Sequence, residues 1–533
     1  MESRLRAQVV VVGGGPVGML LAAELGGRGV RTVVLEARDS VCDRPKARVL
    51  HARALQGLAR RGYFTELVPR GMSGAAEAEV PFRFGGVPGL TITASASEPG
   101  PVLKRPQADL ERLFEQRARA AGVRVLREHR VTQVVQDLDG VRVLAEGPLG
   151  PVECTALYLV GADGGRGVVR ELAGFAARTF EATTSGLSGL VRLDDADVPG
   201  LGWHHTPRGW IVAHDIPGAG THIRTLDCSG AHTGRDVPPT EGELRREVAR
   251  IAGREVGFGE VRWLSRFSDF SRLAECFGRG RIFLAGDAAH LHFPVGAQGL
   301  SLGVQDALNL GWKLALAVRG RAGAGLLDTY DQERRPAASR VIEVTLAQLA
   351  LMRARPEAEA LRSVFAGVVA CGGGGSRYLS DLISGQDAVL PPEAGTAGRV
   401  LGSDGAWEGR FLPNVALRTA QGPSDVVALL RGGGWLLLLF SERGGEYGRR
   451  AGAWGDLVRR VRAEPVGEVA CDALLLRPDG YVAWAGGDGG SRSGQGGGGE
   501  RLEEVLVRYL GCGSTGVPAG RVAGSDAVAR VVG

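Results

Sequence analysis

Between Gln8 and Val12 the chain is apolar and β-prone; glycines follow, then an apolar-periodic stretch from Val17 to Leu25 and a second apolar run, "VRTVVLE", at 30–36. The shift from strand-like to helical spacing and back predicts a strand, a tight turn, a helix and a strand, a βαβ unit. After Pro106, the apolar positions Leu110, Leu113, Phe114 and Ala118 predict a helix over 107–121. Strand-like segments at 123–126, 131–136 and 141–145 lead to "ALYLVGADGG" at 156–165. From about 176 to 270 apolar and polar residues alternate around Trp203, Trp210 and Trp263, which predicts a mostly β layer. "RIFLAGDAAH" at 281–290 returns to a buried strand, and Val304, Ala307, Leu308, Leu310 and Leu314 predict a helix over 301–318. "CGGGG" at 371–375 and Pro391–Pro392 mark the approach to a linker. Beyond about 400, strands are expected at 434–440 and 472–476, a hairpin turn at the Asp-Gly of "RPDGYVAW" and a mobile loop over 486–500.

At 533 residues the chain is long enough for two to four domains. Its net charge of +5 is spread without a long basic block, so no nucleic-acid partner is expected. The seven cysteines are scattered and form no CxxC pair, as expected of reduced thiols in the cytoplasm. "GWLLLLF" at 434–440 is too short to cross a bilayer, no signal peptide precedes the first strand, and a cytoplasmic protein without a membrane partner is expected.

Three motifs carry the chemistry. Gly13-Gly14-Gly15-Pro16-Val17-Gly18 is a GxGxxG between a strand and a helix. Gly13 permits the turn, Gly15 lets a pyrophosphate approach the backbone, and Gly18 lets helix and strand pack closely. The helix amino end offers N–H groups to the phosphates, and Glu36, at the end of the next strand, is placed for the ribose hydroxyls. This motif alone leaves NAD and FAD both open. "GADGGRGVVR" at 161–170 ends a strand with Asp163-Gly164. In "GDAAHLHFPVGAQGLS" at 286–301, Asp287 is placed to hold ribityl or ribose hydroxyls, while Gly296, Gly299 and the helix beginning near Ser301 present backbone N–H groups to a flat ligand.

In this order and spacing the three motifs resemble the FAD-dependent aromatic hydroxylases, the single-component class A flavoprotein monooxygenases. The stretches 281–315 and 477–484 are most similar to the bacterial aromatic polyketide hydroxylases. The resemblance covers essentially the whole chain. It implies an α/β fold, a Rossmann-like FAD-binding domain with a β-sheet substrate domain and a C-terminal thioredoxin-like domain. The expected divisions are 1–175, with a small β excursion near 73–100, for the first part of the FAD-binding domain; 176–270 for the substrate domain; 271–395 for the return to the FAD-binding domain and its long helices; and 400–533 for the last domain. By position, Gly13, Gly15, Gly18 and Glu36 would hold the ADP half of FAD, Gln107 and Asp287 the ribityl chain, and Gly299, Leu300 and Ser301 the pyrimidine edge of the flavin. Asp163 matches a residue tied to the pyrophosphate and the transient NAD(P)H path, and Lys46 stands where the family usually has arginine. Three more positions depart from the family pattern: Gly167 replaces a serine, Ala297 a glycine and Ser301 an asparagine.

The activity implied is an FAD- and NAD(P)H-dependent monooxygenation, in which NADPH or NADH reduces the flavin, O2 forms a C4a-hydroperoxide, and one oxygen atom enters a polycyclic aromatic polyketide or related phenol. No side-chain nucleophile is required, and no catalytic residue is assigned. The substrate pocket is expected between the β layer and the flavin, with Trp210, His214, Phe293 and Pro294 as candidate lining. Baeyer–Villiger insertion and a non-catalytic flavin-containing drug-binding protein are the alternatives. No metal is expected: His290 and His292 stand two apart in a loop and lack a third ligand at helical spacing. The quaternary state is open between monomer and homodimer.

Overall fold

The computed structural model describes residues 3–44, 46–68, 79–193, 201–216, 218–228, 230–231, 237–391, 407–467, 469–487 and 497–513. The first unit is the expected βαβ: β1 (Val9–Val12), α1 (Pro16–Gly26) and β2 (Thr32–Leu35), with β1 and β2 parallel in the register Val9↔Thr32 to Val12↔Leu35. Pro16 opens the helix at the position where its missing N–H leaves no bond unmade. The chain then forms β3 (Val49–His51), α2 (Ala52–Arg60), a hairpin of Glu79–Phe84 and Val87–Thr93, and β4 (Val102–Lys104), antiparallel to β3. Next come α3 (Gln107–Ala120), β5 (Arg124–Leu126) and β6 (Tyr158–Gly161).

A second, wholly antiparallel sheet follows: β7 (Ser185–Leu193), β8 (Gly202–Thr206), β9 (Gly209–Ile216), β10 (Gly220–Asp227) and β11 (Phe258–Ser268), in the order β8-β9-β10-β7-β11. One face is apolar. Leu187, Ile211 and Ile223 pack there on Leu244, Val248 and Ile251 of α4 (Glu241–Ala252). The alternation read from the sequence is this division of faces.

β12 (Ile282–Leu284) completes the first sheet, which runs β12-β6-β1-β2-β5 with every pair parallel and a short antiparallel edge strand, Gly278–Arg279, beside β12. Then come α5 (Gly299–Val318), α6 (Asp328–Met352), α7 (Pro356–Ala370) and α8 (Gly373–Ser384). The linker expected near Pro391–Pro392 falls at 392–406, outside the described residues. Ahead of it Gly372 and Gly373, at φ of 66° and 70°, turn the chain into α8, whose Leu382 and Ile383 pack with Ile92 of the hairpin. Burial of that face overrides the poor helix propensity of glycine.

The last sheet contains β13 (Trp435–Leu439), β14 (Ala473–Leu476) and β15 (Val482–Gly486), extended by the strands Val458–Pro465, Ala416–Thr419 and Gly422–Asp425. β14 and β15 form the Asp-Gly hairpin read from "RPDGYVAW". Both faces are covered: Leu437 and Leu439 join one cluster, with Trp312 of α5 and Leu506 of α9 (Gly497–Leu510), and Leu436 and Leu438 join another with Leu417 and Leu430. The expected loop at 486–500 is shorter at its far end, because Gly497–Glu500 already belong to α9; residues 488–496 lie outside the described residues. Among the described residues no helix is long and apolar enough to cross a membrane.

Candidate functional site

Four adjacent parallel strands bring the motifs to one edge. β12, β6, β1 and β2 run into Gly286–Asp287, Ala162–Asp163, Gly13–Gly15 and Glu36, respectively. Neighbouring strands lie about 4.8 Å apart, so these groups line roughly 14 Å of the carboxyl edge, where open α/β sheets bind ligands. Glycine is required at the turn: Gly13 has φ of +106°, and a Cβ on it would lie 2.4 Å from the Ala162 carbonyl oxygen. A Cβ on Gly18 would meet the Gly13 oxygen at 2.0 Å, whereas one on Gly15, the residue capping α1, would meet nothing within 4 Å. The backbone is therefore closed on the protein side and open on the other. Glu36 accepts the N–H groups of Gly14 (2.5 Å) and Arg38 (2.8 Å), which anchors its carboxylate across the turn.

Asp163 accepts the Val169 N–H through Oδ2 (3.0 Å), but its Oδ1 is buried without a partner, and burial raises its pKa. Gly167 makes this packing possible, because a Cβ there would lie 2.2 Å from the Asp163 carboxylate. Asp287 is exposed, and its carboxylate has no partner among the described residues. Gln107 begins α3, donating its backbone N–H to Ala47 (3.0 Å). Lys46 is exposed; its charge acts on Glu111, which burial pushes up to about 7 and Glu36 pushes in the same direction.

Gly299, Leu300 and Ser301 form the first turn of α5. The Ser301 hydroxyl accepts the His51 N–H (2.9 Å), and the His51 ring donates from Nε2 to the Gly296 carbonyl (2.8 Å). His51 thus ties both ends of the loop to β3, a role no local motif announced. Burial pushes its pKa down to about 4, which keeps the ring neutral. Ala297 takes a positive φ of 55°, the left-handed region that glycine occupies freely.

His290 and His292 have other work than holding a metal. His290 Nε2 lies 2.6 Å from Asp306 of α5, whose carboxylate also accepts the Gly286 N–H (3.0 Å) and Arg334 Nε (2.8 Å). Burial alone would raise the Asp306 pKa, but the His290 and Arg334 charges bring it down to about 2. The His292 ring donates to the Phe293 carbonyl (2.9 Å). Among the described residues no group of three or more His, Cys, Asp or Glu is placed to hold a metal ion.

Trp210 and Phe293 share a buried cluster with Leu226, Val295, Leu349 and Met352, while Pro294 is exposed. The Trp210 indole N–H donates to the Met352 carbonyl (2.6 Å), and its ring rests on Gly86. It is therefore part of the wall joining the antiparallel sheet to α6. His214 lies on the same sheet face, its pKa pushed down to about 4 by burial and by the charges of Arg224, Arg48 and Lys104.

A parallel sheet with an open glycine turn, an anchoring glutamate and an unpartnered aspartate on one edge defines a dinucleotide-binding α/β protein, and the residues present fit FAD. Comparison with known proteins narrows the class. The FAD binding domain family model matches residues 6–345, and the model of the aromatic-ring hydroxylase carboxy-terminal region matches 405–512. The chain belongs to the FAD-dependent aromatic-ring hydroxylase family, as its motifs led us to expect, and its cofactor is FAD. It is 36% identical over 501 residues to a 12-dehydrotetracycline 5-monooxygenase/anhydrotetracycline 6-monooxygenase of Streptomyces rimosus subsp. rimosus, covering 90% of this chain and 95% of that one. It is 33% identical to a rifampicin monooxygenase of Rhodococcus hoagii, with the same coverage. A dialkyldecalin synthase of Streptomyces rugosporus is 36% identical over 488 residues, covering 89% and 95%. Among solved structures, an anhydrotetracycline hydroxylase from Streptomyces rimosus matches with a TM-score of 0.84 and 33% identity over 96% of this chain and 100% of that one. An aklavinone-11 hydroxylase solved with FAD and aklavinone matches with a TM-score of 0.75 and 26% identity, over 95% and 99%.

Proposed function

We propose that the protein is an FAD- and NAD(P)H-dependent monooxygenase that hydroxylates a polycyclic aromatic polyketide or a related phenol. The observation that supports this most is the convergence of the Gly13–Gly18 turn, Glu36, Asp163 and Asp287 on one sheet edge, with α5 opening beside a histidine-bearing β face. In this reading the parallel sheet is the Rossmann-like FAD-binding domain, the β7–β11 sheet is the substrate domain, and the sheet around β13 is a thioredoxin-like domain. FAD, when bound, accepts hydride from the nicotinamide and activates O2.

The protein's own groups bind, orient and exclude water. The free N–H groups of the first turn of α1 would hold the pyrophosphate, and Glu36 would take the ribose hydroxyls. Asp287 and Gln107 would hold the ribityl hydroxyls, and Lys46 and Asp163 would serve the phosphates. The amino end of α5 at Gly299, Leu300 and Ser301 would supply N–H groups and a partial positive charge to stabilise negative charge on the flavin. The wall of Trp210 and Phe293 keeps water from the reacting centre.

Oxidation of NADPH or NADH by the purified holoprotein, followed at 340 nm with a panel of polycyclic phenols and quinones, tests the reading. Oxidation that accelerates with one aromatic, with little H2O2 and a product enriched by one oxygen atom, is the expected result. Oxygen between ring carbons instead of a new hydroxyl, resolved by NMR, would mean Baeyer–Villiger insertion. The dialkyldecalin synthase relative and a solved Diels-Alderase of similar fold favour a second reading, ring formation without oxidation; it predicts cyclisation of a substrate with no coenzyme consumed and no mass gained.

A further inference from the structure

The face of the antiparallel sheet that turns away from α4 carries more positive charge than the wall of an aromatic pocket requires. On β10, Ile223 packs toward α4, so its neighbours His222 and Arg224 lie on the other face. Arg224 stands in register with Ser188 and Val212, and His222 with His214. The two imidazoles meet edge to face with centroids 5.0 Å apart. From the neighbouring ribbon come Arg48, one residue before β3, and Lys104, which pairs with Val49.

Arg224 at the centre of this cluster has no counter-charge. The Arg224 guanidinium makes no hydrogen bond or ion pair with any described residue, and the one neighbouring charge that perturbs it is another cation, Arg48. Burial, Arg224, His214 and Arg48 all push His222 down, to about 3. The one carboxylate acting on His214, Asp215, already accepts the Thr221 hydroxyl (2.6 Å). His222 Nε2 lies 2.7 Å from the Ser188 hydroxyl, and its Nδ1 is buried without a partner. Two arginines and a fully buried imidazole nitrogen are thus left waiting on one side of the sheet, and partly buried cations without an anion are costly to keep. The arrangement is complete only when an anion arrives from outside.

We propose that Arg224, with Arg48 and the His222 ring, receives an anionic oxygen of the aromatic substrate: a phenolate, the enolate of a β-dicarbonyl, or a ring carboxylate. The word substrate rests on the monooxygenase reading; the anion site does not. Placement favours a ring-borne anion. His51, three residues along from Arg48 and so about 10 Å away on a strand, holds the Gly296 carbonyl of the loop that leads into α5. A fused-ring skeleton anchored at Arg224 would extend toward that loop. The same chemistry could be supplied by a coenzyme phosphate, and the experiment separates the two.

The holoprotein is titrated with anthraquinone-2-carboxylate and with its carboxamide, following the perturbation of flavin absorbance, in the wild type, Arg224→Gln and Arg224→Lys, with flavin content as the check on folding. The carboxylate is expected to bind at least tenfold more tightly than the carboxamide; Arg224→Gln brings the two together and Arg224→Lys restores most of the difference. Equal affinities in the wild type, absence of saturable carboxylate binding, or a preference unchanged in Arg224→Gln overturns the proposal. A rise in the KM for NADPH in Arg224→Gln, with probe binding unchanged, overturns it in favour of a coenzyme phosphate. Selective carboxylate binding by a protein that no aromatic stimulates to oxidise NAD(P)H would support the anion site while removing the monooxygenase reading.

Discussion

Two turns frame the candidate site, and they use glycine for different reasons. In Gly13–Gly18 the backbone is hemmed in: Gly13 combines a φ of +106° with a carbonyl oxygen 2.4 Å from where a Cβ would sit. In Gly296–Ser301 the chain also enters the left-handed region, but at an exposed position, and Ala297 occupies it at a φ of 55°. The first turn excludes a side chain by contact at Gly13 and Gly18, whereas the second charges Ala297 only for its backbone energy, roughly 1–2 kcal/mol for an L-residue. A departure from a family pattern is therefore tolerable where strain alone favoured glycine. It is not tolerable where space did.

Three substitutions break or sharpen this contrast. The largest effect is expected at Asp306, the buried carboxylate that holds Gly286 and His290 just ahead of the second turn. Asp306→Asn leaves His290 and Arg334 buried without their anion and costs about 3–5 kcal/mol in urea denaturation at neutral pH. The wild-type carboxyl, at about 2 when folded against 3.8 in the open chain, contributes stability that is fully present above pH 4 and is lost as the pH falls towards 2. That contribution is on the order of 2 kcal/mol, so the two stability curves approach one another in acid. Gly13→Ala attacks the first turn, adding strain to overpacking for roughly 2–5 kcal/mol, and the purified variant is expected to lose its flavin, read as the ratio of flavin to protein absorbance. The smallest effect has the opposite sign. Ala297→Gly relieves the left-handed alanine but frees the unfolded chain, for a net gain of about 0.5–1 kcal/mol; a loss of stability would show that the alanine methyl packs usefully.

The contrast also explains what could be read from the sequence. The Gly13 turn, Glu36 and the strand-to-helix order around them were legible because they follow from local sterics and spacing. The antiparallel layer was legible from its alternation, and kinship to the flavin-dependent hydroxylases from the three motifs together. The clamp that His51 places on Gly296 and Ser301 was not, because its ends lie 245 and 250 residues away. Trp210 was read as a pocket residue from its neighbourhood; that its N–H is committed to Met352, 142 residues on, was not legible. The cations at Arg48 and Arg224 come from separate sheets, and nothing near either announces the other. The helix at 373–384 was hidden by its glycines, since the hairpin that covers its apolar face lies far earlier in the chain.

The helix α5 has a consequence for the modularity of the chain. Its 20 residues span about 30 Å, and successive turns are committed to different parts of the molecule. Ser301 meets β3, Asp306 meets Gly286 and α6, and Asn309, Trp312 and Lys313 reach Asp479 and Glu333. Arg477 closes this last contact by holding both Glu333 and Asp479. The carboxy-terminal region is thus not a detachable passenger: excising it would strip Trp312 of its cover and leave Lys313 and Glu333 without Arg477, at the far end of the same rod whose first turn closes the Gly296–Ser301 loop. Shortened versions of this protein, and hybrids that exchange its last region, must carry the matching surface of α5 with them.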